Sequence, residues 1–333
     1  LYGDYTFVPY SGRKGLLHGF TYMTIRNGEE YTLISSLDEN YGWTVFYLDT
    51  NEGTITIKKD LESLKYSGEF HLFDLFITEG KEKEVYGAWF EKMNLKTTVK
   101  PLAGYSSWYN RYQDISQKTI IEDLEGCRRI LQKGDLFQID DGWEVAVGEW
   151  EQDKKKFPSS MKEIVDEIHK SGYLSGLWLA PFVVEEKSRI FKEHKDWLLE
   201  IDGEKFKCGC NWSGFWALDI DNIEVQEYLK RVFKTVYEDW GFDLVKLDFL
   251  YAAAPKAKSN ETRSQRMNRA MDFLLSLSKD KLILGCGVPL ASAFGRTQYC
   301  RVSCDVTLDW DDKIWMKLIH SERPSTKRAL ETS

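Results

Sequence analysis

The stretch LVKLDFL, residues 244–250, sets a lysine and an aspartate two apart in a run that is otherwise apolar. Desolvating an ion costs several kcal/mol unless it is paired or used, so two buried charges need a reason. Side chains alternate along a strand, which gives Lys246 and Asp248 one face and Val245, Leu247 and Phe249 the other. Near-continuous apolar strands of this kind are buried on both faces of a parallel sheet.

Working outward, the unit that repeats is helix, glycine, strand. One helical face carries Ile120, Ile121, Leu124, Cys127 and Leu131, and another carries Met161, Ile164, Val165 and Ile168. A third runs Val225, Tyr228, Leu229, Val232, Phe233, Val236 and Tyr237. Ser160 with Glu163 reads as a capping box and Asp221 with Glu224 resembles one, while Gly134, Gly172 and Gly241 mark the stops. The strands of this repeat are LFQIDD, LSGLWLAPF, DLVKLDFL, LILGCG and YCRVSCD, with AGYSSWYN as the first.

A doubly wound open sheet and a (β/α)8 barrel both produce this alternation. No glycine-rich phosphate loop follows an early strand, and polar residues recur at the C-terminal ends of several strands, where a barrel builds its active site. The expected architecture is therefore α/β: a (β/α)8 TIM-type barrel, with about six strands present. Residues 1–90 differ in texture, with short β-branched and aromatic segments such as YTFVPY, HGFTYMTI, WTVFYLD and GTITIKKD between turns. They read as part of an antiparallel β-sandwich, giving an expected division into residues 1–95 and 96–333.

Composition narrows the function classes. The 333 residues are 42% hydrophobic and 29% charged, which describes a globular chain, and a net charge of −8 argues against nucleic acid or an anionic membrane as partner. No apolar run of membrane-spanning length and no signal-peptide pattern is present. The six cysteines lack disulfide-scaffold or zinc spacing, so reduced thiols and a cytoplasmic setting are expected. Twelve tryptophans offer flat faces of the kind that stack on sugars.

In a barrel, Asp140 and Asp141, Asp248, and Asp305 converge from three strand ends. Paired carboxylates flanking a bond are the equipment for glycoside hydrolysis. Trp108, Tyr109 and Trp178 would supply stacking faces, and Lys246 and Arg301 would donate to hydroxyls and hold a neighbouring aspartate ionised. The competing readings are plain ones. The Asp pair also fits a turn or helix cap, Lys246 and Asp248 fit a structural ion pair, and Asp309, Asp311 and Asp312 rival Asp305. Trp108, Trp178 and Cys286 each fit a core position, and the five histidines stand alone.

Eight ordered segments, GYSSWYNRY, FQIDDGWE, GLWLAPF, HKDW, WALDI, LVKLDFLYA, LGCGVPL and RVSCD, carry a resemblance. The chain resembles the family thirty-six α-galactosidases of the melibiase clan from about residue 100 to 310, and residues 1–95 are similar to the later part of their sandwich. The resemblance implies a retaining exo-α-galactosidase acting by double displacement on terminal α-linked galactose, with oligosaccharides of the melibiose and raffinose type as substrates. It implies Asp248 as nucleophile and Asp305 as acid/base, with Arg301 near the 2-hydroxyl. Asp140 and Asp141 would bind the 4- and 6-hydroxyls and Lys246 the 3- and 4-hydroxyls, with Trp108, Trp178 and Cys286 lining the pocket. No cofactor or metal is implied, and a homo-oligomer is the assembly the resemblance allows.

Two departures qualify the resemblance. The family pattern continues past Asp305 through two further barrel strands and a C-terminal β-domain, and the sandwich begins part-way. The chain is therefore expected to be a fragment, weakly active or inactive alone. A raffinose-synthase-like galactosyl transferase and a catalytically impaired galactoside-binding protein remain alternatives, as does N-acetylgalactosamine in place of galactose.

Overall fold

The structure is a computed structural model that describes residues 13–96, 99–302, 305–319 and 325–332. Six antiparallel strands come first: β1 (Leu16–Phe20), β2 (Tyr22–Asn27), β3 (Glu30–Ser36), β4 (Thr44–Asp49), β5 (Thr54–Lys59) and β6 (Leu75–Lys81). They form two three-stranded sheets, β1-β4-β5 and β2-β3-β6. The segment read as one strand, HGFTYMTI, divides at Thr21, whose φ of +69° is a left-handed turn of the backbone. Its N–H donates to the Thr44 carbonyl in one sheet, and its carbonyl accepts from Ser36 in the other, both at 2.8 Å. Thr21 is thus where the chain changes sheets. The strand expected at residues 5–10 lies outside the described residues.

Helix α1 (Glu82–Lys92) buries Val85 and Trp89 against these sheets. The antiparallel part is also tied to the C-terminal half of the chain. Trp43 donates its indole N–H to Ser292 at 3.2 Å, and Arg263 pairs with Asp60 at 2.7 Å.

The parallel strands are β7 (Gly104–Ser106), β8 (Leu136–Ile139), β9 (Leu174–Leu179), β10 (Leu244–Leu247), β11 (Leu282–Gly285) and β12 (Tyr299–Cys300). Their order in the sheet is their order in the chain, β7 to β12. A doubly wound sheet reverses its order at a switch point, whereas a barrel adds each strand beside the last. The uninterrupted order decides for the barrel architecture, seen here as a curled six-stranded parallel sheet with β7 and β12 at its edges.

Between strands run α2 (Gln117–Cys127), α3 (Met161–Lys170), α4 (Ile223–Lys234) and α5 (Arg263–Ser278). All four apolar residues of the α3 stripe are buried, and Ser160 caps the helix by accepting from Lys162 N–H. On α2, Ile120, Leu124 and Cys127 are buried but Ile121 is 38% exposed, so the expected stripe is one residue too wide. The cap of α4 is Asn222, accepting from Glu224 N–H at 2.8 Å, and not Asp221. The Asp221 carboxylate is bonded instead to Arg266 and Arg269, at 2.6 Å each, and to Lys258.

Cys127, Cys208, Cys210, Cys286 and Cys300 are free thiols, and Cys304 lies outside the described residues. Among the described residues no helix is long and apolar enough to cross a membrane.

Candidate active site

The C-terminal strand ends carry the expected polar residues onto one side of the sheet. Strand β10 ends at Leu247, and Phe249 then takes a left-handed φ of +52°, a conformation costing a bulky residue on the order of 1–3 kcal/mol. This turn lets the Phe249 N–H donate to Asp248 Oδ1 at 2.8 Å. Asp248 Oδ2 accepts from the Trp178 indole at 3.2 Å and lies 3.8 Å from Lys246 Nζ. The buried Cys286 thiol also bonds this carboxylate.

Burial alone would raise the Asp248 pKa, but Lys246 and then Arg301 outweigh it and hold the carboxyl below its ordinary range. Asp248 is therefore ionised at neutral pH. Cys286 is pushed the other way by burial and by the Asp248 charge, so its sulfur keeps the proton it donates.

Lys246 is 6% exposed and is held 2.9 Å from Asp140 Oδ2. Burial opposes its charge, yet Asp140 and Asp248 together raise its pKa. The same Asp140 oxygen accepts from Gln138 Nε2 at 2.5 Å and from Ser106 at 3.3 Å, while among the described residues Oδ1 accepts only from Asp141 N–H. Asp140 thus anchors the lysine through Oδ2 and keeps acceptor capacity on Oδ1.

On the other flank, Arg301 Nη1 donates to Asp305 Oδ1 at 2.5 Å, and the Tyr109 hydroxyl donates to the same oxygen at 3.2 Å. Burial and the Asp305 charge push the Tyr109 phenol up to about 12. Arg301 interacts with the charges of both Asp248 and Asp305, which raise its pKa against burial. Ion pairs thus join Lys246 to Asp140 and Asp248 and Arg301 to Asp305, and the Arg301 charge also acts on Asp248. Asp309, the nearest rival to Asp305, is paired with Lys313 at 3.7 Å.

The Melibiase family model matches residues 81–282, which include Asp140, Asp141, Lys246 and Asp248. The chain belongs to the melibiase family. Among similar proteins, α-galactosidase Mel36A of Lactobacillus acidophilus is 24% identical over 164 residues, covering 47% of this chain and 22% of that protein. The bifunctional α-galactosidase/sucrose kinase AgaSK of Mediterraneibacter gnavus is 27% identical over 191 residues, covering 54% and 20%. The α-galactosidase TtGalA of Thermus thermophilus, solved in complex with stachyose, is similar at a TM-score of 0.74 and 28% identity, over 94% of this chain and 65% of that one. The match thus spans about a fifth of the curated relatives' length and under two thirds of TtGalA.

Within this melibiase chain, Trp178 sits differently from the sequence expectation. It is 2% exposed, and its rings are covered by Trp150 at 5.8 Å and Trp212 at 6.1 Å. An open stacking face is therefore not what Trp178 offers; its indole N–H orients Asp248 instead. Trp108 lies on a single helical turn, Trp108–Arg111, edge-on to Tyr112 at 5.2 Å. With Tyr112, Asp305, Leu308 and Trp315 it lines a cavity of about 370 Å³.

Four neighbours were not singled out from sequence: Gln113, Gln138, Glu144 and Trp212. Gln138 lies two before Asp140, and the same period-two argument that paired Lys246 with Asp248 would have found it. Trp212 arrives on the long β9–α4 connection and donates to Asp141 Oδ2 at 2.9 Å, beside Gln113 at 2.8 Å. No local signal joins residues 71 apart. His169, by contrast, bonds Asp243 at 2.7 Å ahead of β10, at the opposite strand ends, and His194 stacks on Trp197.

Trp212→Ala removes a donor from a buried carboxylate together with an aromatic wall. The expected outcome is a loss of about 1–3 kcal/mol of folding stability, read from urea unfolding.

Proposed function

We propose that the chain carries the catalytic centre of a retaining, exo-acting α-galactosidase that hydrolyses terminal α-linked galactose from oligosaccharides of the melibiose and raffinose type. The observation that carries this reading is the ionised Asp248 held between two cations, with Asp305 paired to one of them, Arg301. Family membership and the similarity to TtGalA, solved with stachyose, support the choice of sugar.

In this mechanism Asp248 attacks the anomeric carbon while Asp305 protonates the departing glycosidic oxygen, giving a covalent galactosyl ester. Asp305 then takes a proton from water, which attacks the same carbon and releases galactose with its configuration retained. The hydrogen bond from Phe249 N–H and the Lys246 charge keep the nucleophile deprotonated. Arg301 and Tyr109 fix Asp305 Oδ1, leaving its second oxygen to exchange the proton. Asp141 and the free side of Asp140 Oδ1 are acceptors for the 4- and 6-hydroxyls, with Lys246 as donor to the 3- and 4-hydroxyls. The cavity beside Trp108, Tyr112 and Trp315 lies on the Asp305 side, where the leaving sugar would rest.

Slow release of galactose from melibiose, raffinose and a nitrophenyl α-galactoside by the 333-residue chain is the expected result, and a chain showing neither release nor calorimetric binding of galactose would overturn the reading. The role of Asp305 has its own signature. Asp305→Ala is expected to slow cleavage of the sugar leaving group by about 10²–10⁴-fold, the range of general acid catalysis. Nitrophenolate needs no proton to leave, so its release should fall far less in single-turnover measurements. Equal losses for both substrates would remove Asp305 from the acid role.

A further inference from the structure

Asp141 is 3% exposed, and both donors that reach it, Gln113 and Trp212, bond Oδ2. Its Oδ1 is buried with no N–H or O–H donor from another group among the described residues. The group in hydrogen-bond contact with this carboxyl is a second one, Glu144, three residues on, 7% exposed at the start of the hairpin formed by Glu144–Ala146 and Glu149–Gln152. Glu144 itself accepts from Gly142 N–H at 3.2 Å. Two ionised carboxylates have only acceptors to offer each other, and both would be buried. A single proton between them satisfies the contact.

We propose that Glu144 is protonated at neutral pH and donates to Asp141 Oδ1, making it a positioning residue for the carboxylate that recognises the sugar; this rests on the galactosidase reading above. The surrounding charges agree. Asp140 adds a second negative charge beside Asp141, and the nearby cations are directed elsewhere. Lys246 bonds Asp140, and Lys156 bonds the carbonyls of Gln113 and Gly142 at 3.1 and 2.9 Å. Burial, and then the Asp141 charge, hold Glu144 well above the ordinary carboxylate range, and burial raises Asp141 as well. Only one proton is needed to quiet the pair.

The functional consequence is an alkaline limit on affinity. Once Glu144 ionises, it repels Asp141 and the sugar-binding geometry loosens, while Asp248, Asp305 and Arg301 are untouched. KM should rise with pH while kcat holds.

The direct test is a carbon-13 NMR titration of the wild-type chain carrying carboxyl-labelled glutamate. One glutamate signal should stay protonated at neutral pH, titrate only in the alkaline range, and be missing from Glu144→Gln. That variant still presents an N–H to Asp141 Oδ1, so its KM at neutral pH should stay close to wild type and lose the alkaline rise. Glu144→Ala, with no donor, should raise KM by about tenfold. Galactose affinity measured by calorimetry across the same pH range should show the same split without turnover. A wild-type titration with every glutamate ionised at neutral pH would overturn the proposal, as would Glu144→Gln and Glu144→Ala equally impaired. If the wild-type chain neither binds nor cleaves a galactoside, the functional reading fails, and the titration still decides the shared proton.

Discussion

Asp248→Gly is expected to lower turnover of an activated α-galactoside by about 10⁴-fold or more, the scale on which loss of a covalent nucleophile acts. KM should change little, because the groups proposed to hold the hydroxyls remain. The variant should also fold, since Lys246 keeps Asp140 at 2.9 Å when its weaker partner at 3.8 Å is removed. Added azide gives the discriminating result. A small anion entering the vacated space attacks from the side the carboxylate occupied, and Asp305 still serves the leaving group, so β-galactosyl azide should accumulate. Near-normal hydrolysis by the variant would remove Asp248 from the reaction.

The second large effect belongs to Lys246→Met, which leaves Asp140 and Asp248 buried without their shared cation. Breaking a buried ion pair from one side costs about 3–5 kcal/mol, and that loss should appear in urea unfolding. Its pH dependence is set by the two shifts. Asp248 lies below its ordinary value in the folded chain, so its contribution is present above the unfolded carboxylate pKa of about 3.9 and is lost as pH falls through the lowered native value. Lys246 lies above its ordinary value, so its contribution is present below an unfolded pKa of about 10.4 and is lost as pH rises through the native value. The gap between wild type and variant should therefore form a plateau across neutral pH and close at both extremes. The acid limb of activity should move to higher pH in the variant, because Asp248 loses its largest stabilising neighbour. An unchanged acid limb would mean that Lys246 does not set the ionisation of Asp248.

Much of the barrel was legible because its signals are local. The α3 stripe of Met161, Ile164, Val165 and Ile168, its Ser160 cap and the apolar strands each report on residues within a turn or two. Sequence order alone left the barrel and the doubly wound sheet open on periodicity; the side-by-side order of β7 to β12 is what separates them. The α4 cap moved from Asp221 to Asn222 because the Asp221 carboxylate is bonded to Lys258, Arg266 and Arg269, partners 37 to 48 positions away.

The candidate site divides along the same line. Lys246, Asp248, Asp140 and Asp141 were readable because charges at apolar strand ends demand a use, and motif resemblance supplied the roles proposed for them. Trp178 was readable as a residue of interest but not as a covered one, since Trp150 and Trp212 reach it from other segments. Glu144 looked like any acidic residue in a loop, and only the orphaned oxygen of Asp141 gives it a meaning.

The central claim is that Asp248 becomes esterified to galactose within a pocket it shares with Asp305. An activated fluorogalactoside, which forms that ester faster than the ester hydrolyses, followed by protease digestion and mass spectrometry, tests it most directly. The predicted result is one galactosyl-derived label on the peptide containing residues 244–250, localised to Asp248. A label on Asp140, Asp141 or Asp305, or no covalent species while turnover proceeds, would contradict it.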